Sequence, residues 1–546
     1  MNARLTLLAA AIVCGVAAAH DITREAADER RRQVELTALA QADPTVAKLP
    51  VEQTAVLTLK FGYRPGALVR VTNVADGKAI PLTGEIHRAL NWYSVAAGVQ
   101  LRLPRRKLRV EVVGGLETEL HAFEADLTDG KDQVVDNHLN EFSDAKRIRS
   151  GNTHLHLKDL SFAEMDRYLR LVPKTDELDI VFVSHLERKP EDKYYISNTL
   201  TAGDLGRLAQ SGTLFGNGEE HRHNFGPGDE GYGHVMFLNI QQLIQPVSIG
   251  PGIMKAGTDA PSLKPGLEEA KRQGATVIWC HNRFGLEDIP SWLGDRLHAL
   301  NIHDGGMHHG SYDETYYRYL NIGLKIPFST GTDWFIDDFS RVTMPTTRAD
   351  APVTSTAQWL KHLELGRSTI TNGPLLEFNV FTSGNKQMFW AGDQAKFDGP
   401  TTVWLKGEGR GRHDFRAIEV VFNGRVVKSA TTVKQGGHFE ARLDDDKFEL
   451  TESGWLALRI PDKDQPKHEL DRPLFAHTSP IYVEIGGKKH FDRPTAATLM
   501  AEMRRALEVI PKRATFANDA ERDKVLEVYR EGIRTLEARM SASGTP

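Results

Sequence analysis

Three times between residues 147 and 378, a stretch of helical composition runs into a short apolar strand that ends on a side chain able to bind metal. Residues 161–171 precede DIVFVSH, which closes on His185; residues 266–273 precede TVIWCH, which closes on His281; residues 313–321 precede KIPFSTGTD, which closes on Asp333. Helix followed by strand, repeated, is the grammar of an α/β unit whose parallel strands are linked by helices. In a barrel of that kind the C-terminal strand ends open onto one face, so residues far apart in the chain meet there. The pattern therefore predicts a barrel-like α/β domain over residues 147–378 with its chemistry at one mouth.

Two more motifs fall in the same stretch. In Asn152-Thr-His-Leu-His156 the histidines are two apart; on a strand that spacing puts both on one face, where they can grip one cation, whereas a helix splays them. In Gly218-Glu-Glu-His-Arg-His223, followed by Tyr232-Gly-His234, Glu220 and His234 read as further ligands, with the carboxylate placed to bridge two cations. Glu219 and His221 read instead as part of a solvated, charged loop. Cys280, inside an apolar strand beside His281, reads as a buried and inert thiol. No GxSxG nucleophile elbow occurs in this stretch, which argues against a serine hydrolase.

At 546 residues, and roughly 150 per domain, the chain has room for other folded units. Residues 1–19, MNARLTLLAAAIVCGVAAA, read as a Sec-type signal peptide cleaved after Ala19, giving a periplasmic or secreted protein. The apolar run is too short to span a bilayer comfortably, so no stable membrane insertion is expected. With Cys14 removed, Cys280 is the only cysteine left and no intramolecular disulfide can form. Residues 20–48 read as a solvated helix, 49–130 and 379–490 as β-sandwiches, and 491–546 as helices. Lys and Arg number 68 against 73 Asp and Glu, a net charge of −5 with no long basic block. That balance excludes a nucleic-acid binder and favours a small-molecule partner.

The ordered motifs, HLH at 154–156, a strand ending in His185, GEE at 218–220, GH at 233–234, CHN at 280–282 and GTD at 331–333, resemble those of the PHP (polymerase and histidinol phosphatase) metallohydrolases. YYRYLNIGLKIPFSTGTDWF and LELGRSTITNGPLL are similar to the branch of that family that includes carbaryl hydrolase. The likeness runs over about residues 150–378, with a looser echo in SGWLALRI and FAHTSPIYV. It implies a distorted (β/α)7 TIM-like barrel holding two or three divalent metal ions; the His-rich ligand chemistry suits zinc first, with manganese or iron as alternatives. It also implies hydrolysis of a phosphoester, carboxyl ester or carbamate by a metal-bound hydroxide.

Matched by position, the family ligands are His154, His156, His185, Glu220, His234, His281 and Asp333. Two departures favour fewer ions: Ser184 stands where the family usually has Asp, and Phe335 where its closing Asp-x-His has His. His303, Asp304, His308 and His309, in NIHDGGMHHG, are candidate substitutes, an exposed His-rich loop being the alternative. For the chemistry, His223 or Asp304 is expected to carry the proton. Asn282 and Arg341 are expected to hold the substrate, Arg341 through an anionic group. The competing expectation is a non-catalytic exported binding protein that keeps the barrel as a scaffold.

Overall fold

The computed structural model describes residues 42–143, 148–157, 160–186, 202–210, 212–225, 231–249, 261–280, 285–304, 316–333, 338–345 and 353–543. The expected signal peptide and most of the predicted N-terminal helix lie outside these residues, as do His281, Asn282, His308 and His309. Where that helix was expected to end, Val46–Lys48 form a single 3-10 turn. Among the described residues no helix is long and apolar enough to cross a membrane.

The protein is mixed α/β and strand-rich. At its centre are β1 (Ile148–Leu155), β2 (Ile180–His185), β3 (Leu214–Asn224), β4 (Gly231–Leu238), β5 (Thr276–Trp279), β6 (Ala299–Asp304) and β7 (Phe328–Gly331), laid side by side in chain order. Strands β4, β5 and β7 are buried along their whole length, as apolar strands are when both faces of a sheet are covered. Strands β1 to β3 are parallel, and so are β5 to β7. Strand β4 is antiparallel to both of its neighbours, which departs from the uniform (β/α)7 pattern expected. The reason is chain length: a parallel crossover needs about a dozen residues or more, and only residues 225–230 separate β3 from β4.

The sheet curls until its last strand returns to its first. Thr332 and Asp333 both donate their amides to the His154 carbonyl, at 3.0 and 2.8 Å, and Asp333 accepts from the His156 amide at 3.0 Å. Outside this curl, helix α1 (Phe162–Thr175) starts where the sequence placed it, because Ser161 and Glu164 form a reciprocal capping box. Its Met165, Leu169 and Val172 pack on Val181 and Val183 of β2.

Upstream of the centre, a five-stranded and a three-stranded sheet share one apolar cluster that includes Leu57, Val69, Leu101 and Val110. The strand Gln133–Asp136 extends this unit past the boundary expected at residue 130. The C-terminal β region is less separate than a second sandwich would be. Beyond β1 the central sheet continues through β8 (Arg341–Pro345) and β9 (Thr369–Thr371) into strands Ala476–Thr478, Gly454–Arg459 and Ala417–Phe422. One layer of the C-terminal β region is thus continuous with the central sheet.

A buried polar clamp joins the N-terminal β unit to the centre. Arg88 donates twice to Asp176, at 2.9 Å each, and once to Ser94. Fully buried Arg341 donates to the carbonyls of Phe339 and Asp176. The C-terminal region joins the same clamp through Arg412, which pairs with Glu469 and donates to the carbonyls of Gly115 and Thr118.

The chain closes with α4 (Arg493–Arg513) and α5 (Asp519–Ala542), which pack on each other and on the short helix α3 (Asp288–Leu293). Glu287, just before α3, is wholly buried, and one of its oxygens accepts from the Leu263 amide at 2.9 Å. Desolvation raises its pKa from an ordinary 4.5 to about 7, with Arg296 and Lys264 pulling more weakly the other way. A carboxyl that keeps its proton longer in the folded chain than in the unfolded one weakens the fold as pH climbs from about 4.5 to about 7. Glu287→Gln removes that dependence, so its melting temperature should exceed the parent's by more at pH 8 than at pH 5. An equal offset at both pH values in calorimetry would contradict it.

Candidate metal centre

Four side chains from three separate parts of the sheet meet in its interior. His154 and His156 come from β1 and the residue just after it, Glu220 from β3, and Asp333 from the bend after β7; one ligand atom from each lies within 4.8 Å of all the others. All four are buried. His156 Nε2 stands 2.9 Å from His154 Nε2 and 3.0 Å from Glu220 Oε2, while Asp333 Oδ1 lies 3.5 Å from His154 Nε2 and 3.7 Å from His156 Nε2. Ligand atoms about 2.1 Å from a tetrahedral cation stand about 3.4 Å apart, and these separations bracket that figure.

The donor chemistry fits a cation as well. His156 Nδ1 lies 2.9 Å from the Ser184 carbonyl, which can only accept, so in the neutral ring the proton is on Nδ1 and Nε2 presents a lone pair. That lone pair faces a second imidazole nitrogen and a carboxylate, an arrangement that calls for a positive charge between them. Glu220 extends the site in a second direction, since its Oε1 lies 3.0 Å from His234 Nδ1. Its two oxygens therefore link the His154, His156 and Asp333 group to His234, and Asn224 Oδ1 lies 3.3 Å from the other ring nitrogen of His234.

Residues the motifs did not flag hold this geometry. Asn152 donates to Thr332 Oγ1 at 2.7 Å and accepts from the His154 amide at 3.0 Å, tying β1 to the bend that carries Asp333. Its signal was present, an amide two residues before the first histidine on the same strand face. Asp333 sits at φ 54°, a left-handed conformation that Asp tolerates better than most residues. Gly331 is needed for close approach, because a Cβ there would come within 2.4 Å of His154 Cβ and 2.6 Å of its amide nitrogen. Gly331→Ala must push β7 off β1; it should cost about 1–3 kcal/mol of stability and weaken metal binding, checked by thermal melts and metal titration.

The other expected site residues are not among these four. His185 ends β2, partly exposed and outside the group of four. Arg341 is spent on main-chain carbonyls in the clamp. Asp304 ends β6 in register with Gly331. His281 and Asn282 lie outside the described residues.

The charged run that read as a solvated loop is a buried strand. Alternation along β3 places Glu220, Arg222 and Asn224 on the face of His234. Glu219, His221 and His223 are on the other face, where His221 Nδ1 meets Glu219 Oε1 at 2.8 Å and His223 Nδ1 meets the Pro261 carbonyl at 2.8 Å. Desolvation pushes both imidazoles down to about 3, so they are neutral. His223, expected as a proton carrier, is thus turned away from the Glu220 side.

No family model matches the chain, and no curated protein does. Among solved structures, it is similar to a two-domain protein from Bacteroides vulgatus that contains a predicted PHP-like metal-dependent phosphoesterase. The identity is 13% and the TM-score 0.32, with 57% of this chain and 90% of that chain covered.

Proposed function

We propose that this chain is an exported metal-dependent hydrolase acting on an ester-type bond: a phosphoester, carboxyl ester or carbamate. The observation that carries the reading is the convergence of His154, His156, Glu220 and Asp333 within 4.8 Å in the buried interior of the sheet. The motif order that resembles the PHP metallohydrolases supports it. These four residues would hold a divalent cation, zinc first and manganese or iron as alternatives, which would supply Lewis-acid polarisation of an ester or phosphoryl oxygen and a lowered pKa for bound water.

The protein's own groups do the rest. His154, His156 and Asp333 would hold one side of the site, and Glu220 links them to His234 through its other oxygen. Arg222, buried on the Glu220 face of β3, supplies a fixed positive charge for an anionic substrate group. For proton transfer we assign Asp304, whose backbone at the end of β6 pairs with that of Gly331, the residue packed against His154.

Two measurements test the reading. Elemental analysis of the mature chain, purified without chelator, should find Zn, Mn or Fe at one or more per chain, and a panel of phosphoesters, carboxyl esters and carbamates should include a substrate. A chain that takes up no metal after incubation with each ion would favour the binding-protein reading instead. The N-terminal sequence of the exported form should begin at His20.

A further inference from the structure

The far face of β3 holds a second pair of histidines that the hydrolytic site does not use. His221 and His223 are 1% and 2% exposed, with ring centroids 4.4 Å apart. His154 and His156, with the same two-residue spacing, have centroids 4.8 Å apart. Both outer rings lie at the base of a cleft of about 390 Å³ whose walls include Gln242, Gln245, Ser262 and Glu269.

The hydrogen bonds fix which nitrogen is available. Nδ1 of His221 meets a carboxylate oxygen and Nδ1 of His223 a carbonyl oxygen, so in each neutral ring the proton is on Nδ1 and the lone pair on Nε2. Neither Nε2 makes a hydrogen bond of normal geometry, and the backbone of Pro246 and Ser262 also lies close to the His223 ring. Glu219 is itself held, its other oxygen accepting from the Ile244 amide at 2.7 Å. A histidine whose Nδ1 proton is tied to a carboxylate or carbonyl, with Nε2 left bare, is the arrangement found behind metal ligands, where the outer contact sets the tautomer and the ring orientation.

Packing holds the rings and buries both Nε2 atoms. The His221 ring lies 4.9 Å from Phe237, centroid to centroid. Helix α2 (Lys264–Arg272) approaches it through Gly266. A Cβ on Gly266 would stand 2.4 Å from His221 Nε2, 2.9 Å from Cδ2 and 3.0 Å from Cε1. Distances that similar place the point over the ring face, since a point along the lone pair at that range would lie farther from both carbons. The glycine thus lets the helix cover the ring without blocking Nε2.

We propose that His221 and His223 form a second metal site, chelating one borderline divalent ion such as Zn²⁺, Cu²⁺ or Ni²⁺ through their Nε2 atoms. Two imidazoles with no carboxylate ligand suit these ions over Mg²⁺ or Ca²⁺. Water entering from the cleft would complete the coordination. An ion there steadies the strand that carries Glu220 on its opposite face. This proposal does not depend on the hydrolase reading.

Crystals of the full chain soaked in ZnCl₂ or CuCl₂ and measured at the metal edge test it. An anomalous peak between the two Nε2 atoms is expected, separate from any peak at His154 and His156, so the two sites succeed or fail independently. Electron density for both rings with no anomalous peak between them would overturn the proposal.

In solution, the His221→Asn, His223→Asn variant keeps an N–H donor near each Nδ1 position and deletes each Nε2. It should bind one Zn²⁺ fewer per chain than the parent. Should that variant not fold, His223→Asn alone leaves the His221 packing intact and should weaken Zn²⁺ binding at this site by roughly tenfold or more. A folded variant with the parent's stoichiometry and affinity would rule the site out.

Discussion

On the proposed function, the His154→Ala, His156→Ala variant will lose the divalent ion of the central cluster and, with it, hydrolysis. Both imidazoles approach the same carboxylates, at 3.0 to 3.8 Å, so deleting them leaves Glu220 and Asp333 without the two neutral nitrogen donors. Lewis-acid stabilisation is worth several kcal/mol of the barrier, so turnover should fall by about a thousandfold or more. Metal analysis and steady-state kinetics on the purified variant check both halves, with circular dichroism confirming the fold. Hydrolysis that survives at the parent's rate would remove the cluster from the mechanism.

The second large effect is on stability. Asp176→Ala will leave Arg88 buried without its bidentate partner; the two side chains are 4% and 1% exposed. Breaking a buried pair from one side costs about 3–5 kcal/mol, because the stranded charge keeps its desolvation penalty. The urea midpoint should fall accordingly. Replacing both partners, as in Arg88→Met with Asp176→Leu, should recover most of the loss, since no charge is then left unpaired. A single variant as stable as the parent would mean that Arg88 finds water or another acceptor, and that the clamp between the N-terminal β unit and the centre is not held by this pair.

The helix and strand starts were legible because they are local. Ser161 and Glu164 cap α1 through contacts three residues apart, and the apolar runs at β2, β5 and β7 have little other use than as covered strands. The HLH spacing was legible for the same reason: a period of two puts both rings on one face wherever the strand lies. The run Gly218–His223 misled because its composition is that of a solvated surface, and charged side chains are rarely buried without partners. Its partners are distant in sequence: His234 for Glu220, the Ile244 amide for Glu219 and the Pro261 carbonyl for His223.

By itself, then, the sequence determined the capped start of α1, the apolar strands β2, β5 and β7 and which side chains can bind metal, since backbone period, capping and side-chain chemistry act within a few residues. The direction of β4, the sharing of a sheet between the centre and the C-terminal β region, and the meeting of His154, His156, Glu220 and Asp333, four of the six candidate ligands among the described residues, were decided only by the tertiary structure. The decisive contacts span the domain, as between Asn152 and Thr332, 180 residues apart. Such a contact exists only after the intervening strands have paired and the sheet has curled, so no local pattern encodes it.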